Sequence, residues 1–103
     1  MVLSRIDGDH TGGLDQFLAR HSKVTVYAPV SFPKTFRRMI EQRGARIETV
    51  RGPRRPLANL HCTGELGGSI KEQPVIVDRE QGLVIVTGCA HPGAIEIAKV
   101  ATN

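Results

Sequence analysis

A mixed α/β domain is what this sequence predicts, and three features of its patterning say so. Residues 23–28 (KVTVYA) and 46–51 (RIETVR) alternate apolar and polar side chains, the period of a strand with one face inward. Leu14, Phe17 and Leu18, and later Phe36, Met39 and Ile40, recur at helical spacing. Two apolar runs at 75–77 and 83–86 then flank a polar segment ending in Gly82, the signature of a β-hairpin. Helix, strand, helix, strand, hairpin and final helix follow in that order, with paired strands late in the chain.

The elements can be justified one by one. Val2, Leu3 and Ser4 form a short apolar start, the end of a strand, and residues 5–13 (RIDGDHTGG) are polar and glycine-rich, which marks a loop. A short helix is expected near 13–20, ending by His21, and a strand near 23–28. Ser31, Phe32 and Pro33 open a helix near 33–43, with Pro in the first turn, where its missing N–H is not needed. Lys34, Arg37, Arg38, Glu41 and Arg43 are expected to face water, and Gly44 sits where a left-handed cap belongs. The second strand is expected near 46–51. Residues 52–56 (GPRRP) break regular structure, and residues 57–66 hold at most one short strand. The hairpin strands fall near 74–78 and 83–87. Pro92 opens a last helix near 92–101, whose Ala94, Ile97, Ala98 and Ala101 share a face.

A chain of 103 residues is one domain's worth and can bury only a modest core. With aromatic residues at 4%, that core must be aliphatic. The formal charge of +4 favours acidic partners in general, but the arginines are spread over a helix, a strand and a loop, as on a solvated basic surface. No apolar run is long enough to span a bilayer, so no membrane partner is expected. The start of the chain has neither the basic nor the apolar region of a signal peptide. Cys62 and Cys89 form no CxxC pattern, and reduced thiols in the cytoplasm are the expectation.

The densest polar cluster is Asp7, Gly8, Asp9 and His10, followed by Thr11, Gly12 and Gly13. A carboxylate beside an imidazole on a glycine-flexible loop is metal-ligand chemistry, suited to zinc, manganese or iron. The same residues also fit a turn in which Asp9 or Thr11 caps the helix that follows. A second candidate is His91, in the loop 87–93 (TGCAHPG) between a strongly apolar strand and a helix. Loops at that end of a strand commonly hold ligands, although a surface histidine at a turn has the same pattern.

Together these segments resemble a known family. Residues 3–14 (LSRIDGDHTGGL) are similar to the metal-binding signature of the metallo-β-lactamase-fold hydrolases, S-H-x-H-x-D-H-T-G-G-L. Residues 63–93 resemble a stretch of one branch of that superfamily, with Glu-Gln, an apolar strand, a glycine-turned hairpin and T-G-C-[SA]-H-x-G in this order. That branch includes dihydropterin-ribofuranosyl-aminobenzene-phosphate synthases. The resemblance implies an αββα sandwich with one or two metal ions, zinc first and manganese or iron as alternatives, that activate water for attack on an ester or phosphoester. By position, Asp9 and His10 match the pair that serves the second metal, with Asp9 as the water-orienting ligand, and His91 matches a histidine of the first.

The departures are informative. The two leading histidines of the signature fall at Arg5 and Asp7. Asp7 still offers an oxygen, whereas Arg5 cannot ligate a cation and opposes one. The sequence also ends before the closing Gly-Gly-x-His type motif and lacks the strands that ordinarily precede the signature. The resemblance therefore implies half of a sandwich, a mixed sheet with helices on one face. The chain is then a truncated or split gene product, or a relative that completes its fold as a homo-oligomer or with a complementing chain.

Other residues carry weaker signals. Cys89 lies two positions from His91, the spacing of a conceivable Cys–His nucleophilic pair, yet no third, orienting residue can be named, and packing is the simpler role. Cys62 beside His61 is structural, and His21 suits a helix C-terminus. Arg51, Arg54 and Arg55 could grip a small phosphorylated substrate. Nucleic acid is disfavoured, because no aromatic residues interleave them. Two functions follow: a metal-dependent hydrolase using Asp7, Asp9, His10 and His91, or a non-catalytic remnant that serves as an assembly module. In either case the isolated chain is expected to be inactive and to hold metal weakly or not at all.

Overall fold

The computed structural model describes residues 1–90 and 92–102. It is a mixed α+β architecture with helices α1 (Gly8–Thr11), α2 (Leu14–Arg20), α3 (Lys34–Gln42) and α4 (Ala94–Thr102). The strands are β1 (Thr25–Pro29), β2 (Arg46–Val50), β3 (Arg54–Leu57), β4 (Leu60–Cys62), β5 (Val75–Arg79) and β6 (Gly82–Val86). They divide between two sheets, a parallel pair β1-β2 and an antiparallel set in the order β3-β4-β5-β6, rather than lying in one.

The parallel pair follows from the connection between its strands: a parallel neighbour needs a crossover, and α3 supplies it. The apolar stripe of α3 is the expected one, with Ile40 fully buried and Phe36 and Met39 packed against the core. Leu14 and Leu18 of α2, Val26 and Ala28 of β1, Leu3, Phe32 and Ala45 complete that cluster, which is aliphatic apart from Phe32. Gly44 ends α3 at φ +89°, the left-handed cap its position predicts. Pro33 is the N-cap residue rather than part of the first turn. Arg37 departs from its expected place in water. Its guanidinium is partly buried and donates to Phe32 O (3.3 Å), Pro29 O and Thr49 Oγ1 (2.8 Å), clamping α3 to the strand ends.

The segment read as a break contains β3. Arg54 pairs with Cys62 and Leu57 with Leu60, and β3 lies at the edge of its sheet. An edge tolerates Pro56, which has no N–H to donate, and charged Arg54 and Arg55. The hairpin forms as expected: Arg79 opposes Gly82, whose φ of +133° only glycine adopts readily. The N-terminal segment joins β1 through a parallel bridge between Val2 and Tyr27. Gln73, almost wholly buried, then stitches this region to the start of β5: its backbone N–H donates to Ser4 O (3.0 Å) and its side-chain amide to Leu3 O (2.9 Å).

Residues opposite one another on a ladder share a face, so Leu57, Leu60, Val75, Val77, Val84 and Val86 form one apolar face of the larger sheet. Leu57, Val84 and Val86 on it are exposed. An open groove of about 690 Å³ runs between this face and Met1, Val24 and Tyr27. On the other face Ile76 is fully buried, and α4 packs beside β6 with Ile97 fully buried. Among the described residues no helix is long and apolar enough to cross a membrane.

Candidate functional site

Two loops distant in sequence meet at one end of the sheets. The first runs from Ser4 through α1, a single turn that holds Asp9 and His10; residues 5–13, read as loop, contain this turn. Its tightness is set by Thr11, whose hydroxyl donates to Ile6 O (3.1 Å) and Asp7 O (3.2 Å). The capping alternative for Asp9 and Thr11 is not what forms. The N-cap of α2 is Gly13, with no side-chain cap bond. The second loop follows β6 and carries Thr87, Gly88 and Cys89, with Ala90 at φ 55° bending the chain sharply.

His10 is the junction. Its side chain is 11% exposed, Ser4 Oγ lies 2.9 Å from Nδ1, and Cys89 Sγ lies 3.4 Å from Nε2. Asp9 Oδ2 stands 3.7 Å from the same Nε2 and is otherwise open to water. Gly88 makes the approach possible. A Cβ there would stand 2.7 Å from His10 Cε1 and 3.1 Å from Nδ1, so only glycine fits without displacement. Beneath the loop lies fully buried Glu72, whose Oε2 accepts from Thr87 Oγ1 (3.2 Å) and from the Cys89 N–H (3.3 Å).

Arg5 and Asp7 occupy the outer side. The guanidinium is bonded to the Asp7 carboxylate, and its side chain is 13% exposed. Burial works against its charge. The hydrogen bond and charge of Asp7, with the charges of Cys89 and Asp9, outweigh that and hold its pKa above the ordinary arginine value. Beside the pair opens a cleft of about 390 Å³ whose polar lining includes Ser31, Glu65, Ser69 and Lys71. Glu65 is committed there, accepting from the Ser31 backbone N–H at 3.1 Å and from its hydroxyl.

The structure thus brings together Asp9 and His10, with Asp7 nearby but held by Arg5. His91 lies outside the described residues. Among the described residues no three His, Cys, Asp or Glu side chains are grouped so as to hold a metal ion. Of the candidate ligands, the described residues bring Asp9 and His10 together, where a catalytic zinc takes roughly three protein ligands. Ser4, Glu72 and Gly88 enter the site without having been picked out as site residues. All three stand at matched positions of the resembling stretches, Ser4 as the leading serine, Glu72 in the Glu-Gln dipeptide and Gly88 in T-G-C, but those positions assigned them no role. Cys89 lies against His10, whose other ring nitrogen faces Ser4, while the Cys89–His91 pair falls outside the described residues.

The other candidates are placed more plainly. His21 caps α2 and meets the Phe17 ring in a tilted contact with centroids 5.2 Å apart. Cys62 is buried, and burial pushes its thiol pKa up. Arg54 pairs with Glu48 (3.5 Å) and lies over the Tyr27 ring, while Arg55 donates to Ala58 O (2.8 Å), so much of that cluster is engaged within the chain. No family model matches the sequence, and a search of curated proteins finds no match.

Proposed function

We propose that this chain supplies part of a metal-dependent hydrolase site of the metallo-β-lactamase-like kind, completed by a second copy or a complementing chain, and that alone it is inactive. One observation carries the reading: His10 has Nδ1 held by Ser4 and Nε2 turned toward Asp9 and Cys89, where the loop after β6 arrives. A metal-ligating imidazole is ordinarily fixed in this way, with one nitrogen bonded to an outer partner and the other presented. Zinc, or manganese or iron, would supply Lewis acidity and a lowered water pKa at such a place.

The roles of the chain's own residues follow from their positions. Asp9, 74% exposed, is placed to orient a water molecule. Ser4 holds the His10 ring, and Glu72 anchors the loop that carries Cys89. Asp7 is engaged by Arg5, and that competition for its carboxylate favours weak metal binding in isolation. A small ester or phosphoester is the substrate class, and the cytoplasm the compartment. The uncovered face of the larger sheet favours a second reading, a non-catalytic assembly module.

Zinc titration against a chromophoric chelator, with elemental analysis of the purified chain, tests the proposal. Weak binding that His10→Ala weakens further is expected, with hydrolysis appearing only in an assembly that adds ligands. Stoichiometric, sub-micromolar zinc in the isolated chain would show a complete site. Binding untouched by His10→Ala would remove the metal reading and leave the assembly module.

A further inference from the structure

The surplus of positive charge sits on one part of the molecule. Residues 14–51, which build α2, β1, α3 and β2, hold eight basic and three acidic side chains, whereas the rest of the chain holds six basic and seven acidic. Folding then draws four of those basic residues to one end of the parallel pair. The Arg46 N–H donates to Val24 O (3.1 Å), and a Cβ at Gly44 would stand 3.8 Å from Ser22 Cβ. The approaches to β1 and β2, with Lys23 and Arg46, therefore lie side by side. Arg20 and His21 close α2 just before that segment, and Arg43, bonded to Asp15 at 2.7 and 2.9 Å, ties the end of α3 to α2.

We propose that this end of the parallel pair is a docking surface for an acidic polypeptide segment, with Arg20, Lys23 and Arg46 as its cations. All three are exposed, and among the described residues none makes a side-chain hydrogen bond or ion pair. Elsewhere Arg54 and Lys99 face carboxylates of the chain itself. Arg20 stands in the last turn of α2 and suits the negative end of that helix, but Lys23 and Arg46 precede strands, where no such account applies. Like charges gathered without partners repel one another, and an anionic partner relieves that repulsion. The kind of anion follows from the neighbours. Asp15 and exposed Glu41 interrupt the positive field, so a continuous phosphate backbone would meet them, whereas a polypeptide can space its carboxylates around them. Phe17, 39% exposed against the His21 ring, offers an apolar side chain a contact beside the cations. A single such ring is not the row of platforms on which a nucleic-acid strand stacks. This surface uses none of the residues of the candidate metal site and stands apart from that reading.

The test compares the wild-type chain with two double variants, Lys23→Glu with Arg46→Glu and Arg79→Glu with Lys99→Glu. The fluorescein-labelled probes are an acidic peptide of Glu, Ser and Leu, the same peptide with Lys for Glu, and an oligothymidylate of charge matching the first. Binding is read by fluorescence anisotropy at low and moderate salt, and folding by circular dichroism. The acidic peptide should bind wild type, more tightly than the oligothymidylate and more weakly as salt rises, and the basic peptide should not bind. Reversing Lys23 and Arg46 should weaken the acidic peptide by at least about 10-fold. Reversing Arg79 and Lys99, exposed on the hairpin and on α4, changes the net charge equally and should alter affinity by less than about 3-fold.

Equal losses in the two double variants would show that net charge alone attracts the probe and would overturn the docking surface. A wild-type chain that leaves the acidic peptide unbound would overturn it as well. Tighter binding of the oligothymidylate would make the partner a nucleic acid and refute the acidic polypeptide. If the Lys23→Glu, Arg46→Glu chain fails to fold, Lys23→Gln with Arg46→Gln decides: affinity equal to wild type would refute the proposal.

Discussion

Cys89 Sγ lies 3.4 Å from His10 Nε2, a contact that joins two loops 79 positions apart in the chain. With Ser4 at the other ring nitrogen, His10 is held from both sides, and the ring fixes how closely the loop after β6 can approach. The geometry of the whole site therefore depends on the space left at Gly88.

Gly88→Ala is expected to destabilise the chain by about 1–3 kcal/mol, the usual cost of forcing extra volume into a filled site. The added methyl would meet the His10 ring, which Ser4 and Cys89 keep from turning aside, with Glu72 3.5 Å away on its other side. Gly68→Ala, where a Cβ meets nothing within 4 Å, is the control and should leave stability unchanged. Urea unfolding of both variants, with the His10 ring resonances as a local probe, checks the contrast.

The two thiols should differ sharply. Cys89 is exposed and should react at once with a thiol reagent, whereas Cys62 is buried and should react only on unfolding. Because burial raises the Cys62 pKa, its folded value lies above the roughly 8.5 of an unfolded cysteine. The stability it contributes is complete below that pH and is lost as pH rises toward the folded value. Unfolding of wild type and Cys62→Ala at pH 7 and pH 10 measures this: only wild type should lose the extra increment.

Arg37→Ala should cost about 1–3 kcal/mol, because Pro29 O and Thr49 Oγ1 at the ends of β1 and β2, and Phe32 O in the loop before α3, lose their donor. Arg38→Ala, on the exposed side of α3, should change stability by less than about 0.5 kcal/mol. Thermal unfolding of the two variants side by side separates a clamp from a solvated charge.

The periodic elements were legible because their patterns are long enough to repeat: α3 shows its stripe over nine residues, and the hairpin shows apolar runs on both sides of its turn. Short or edge elements were not. In α1, four residues are too few to display a helical period, and β3 hides behind Arg54, Arg55 and Pro56, which signal a break unless the strand is known to be an edge. At the site, Asp9 and His10 stood out by residue type. Ser4, Glu72 and Gly88 did not, since a serine, a buried acid and a glycine take their meaning from what folding brings beside them. Arg37 misled for a similar reason: its spacing places it among solvent-facing charges, and only the strand ends supply its acceptors.

The last prediction concerns assembly. β3 and β6 are the two edges of the larger sheet, and they differ in character. β3 carries arginines and a proline, devices that discourage pairing with another strand. β6 (GLVIV) carries no charge and no proline, and it exposes Val84 and Val86 on a face that continues through Val77, Val75 and Leu60. An uncharged edge beside an apolar face is a surface that associates in water. Static light scattering at micromolar concentration should therefore give a mass at least twice the 11.2 kDa of the chain. The double variant Val84→Lys, Val86→Lys should shift it toward the single-chain mass, because two ammonium groups cannot be buried against a second apolar face without a large desolvation cost. Arg38→Glu, a charge change on exposed α3, should leave the mass unaltered. A wild-type chain that stays monomeric throughout this range would show that the face tolerates water by itself, and the reading of the chain as an incomplete assembly would have to be abandoned.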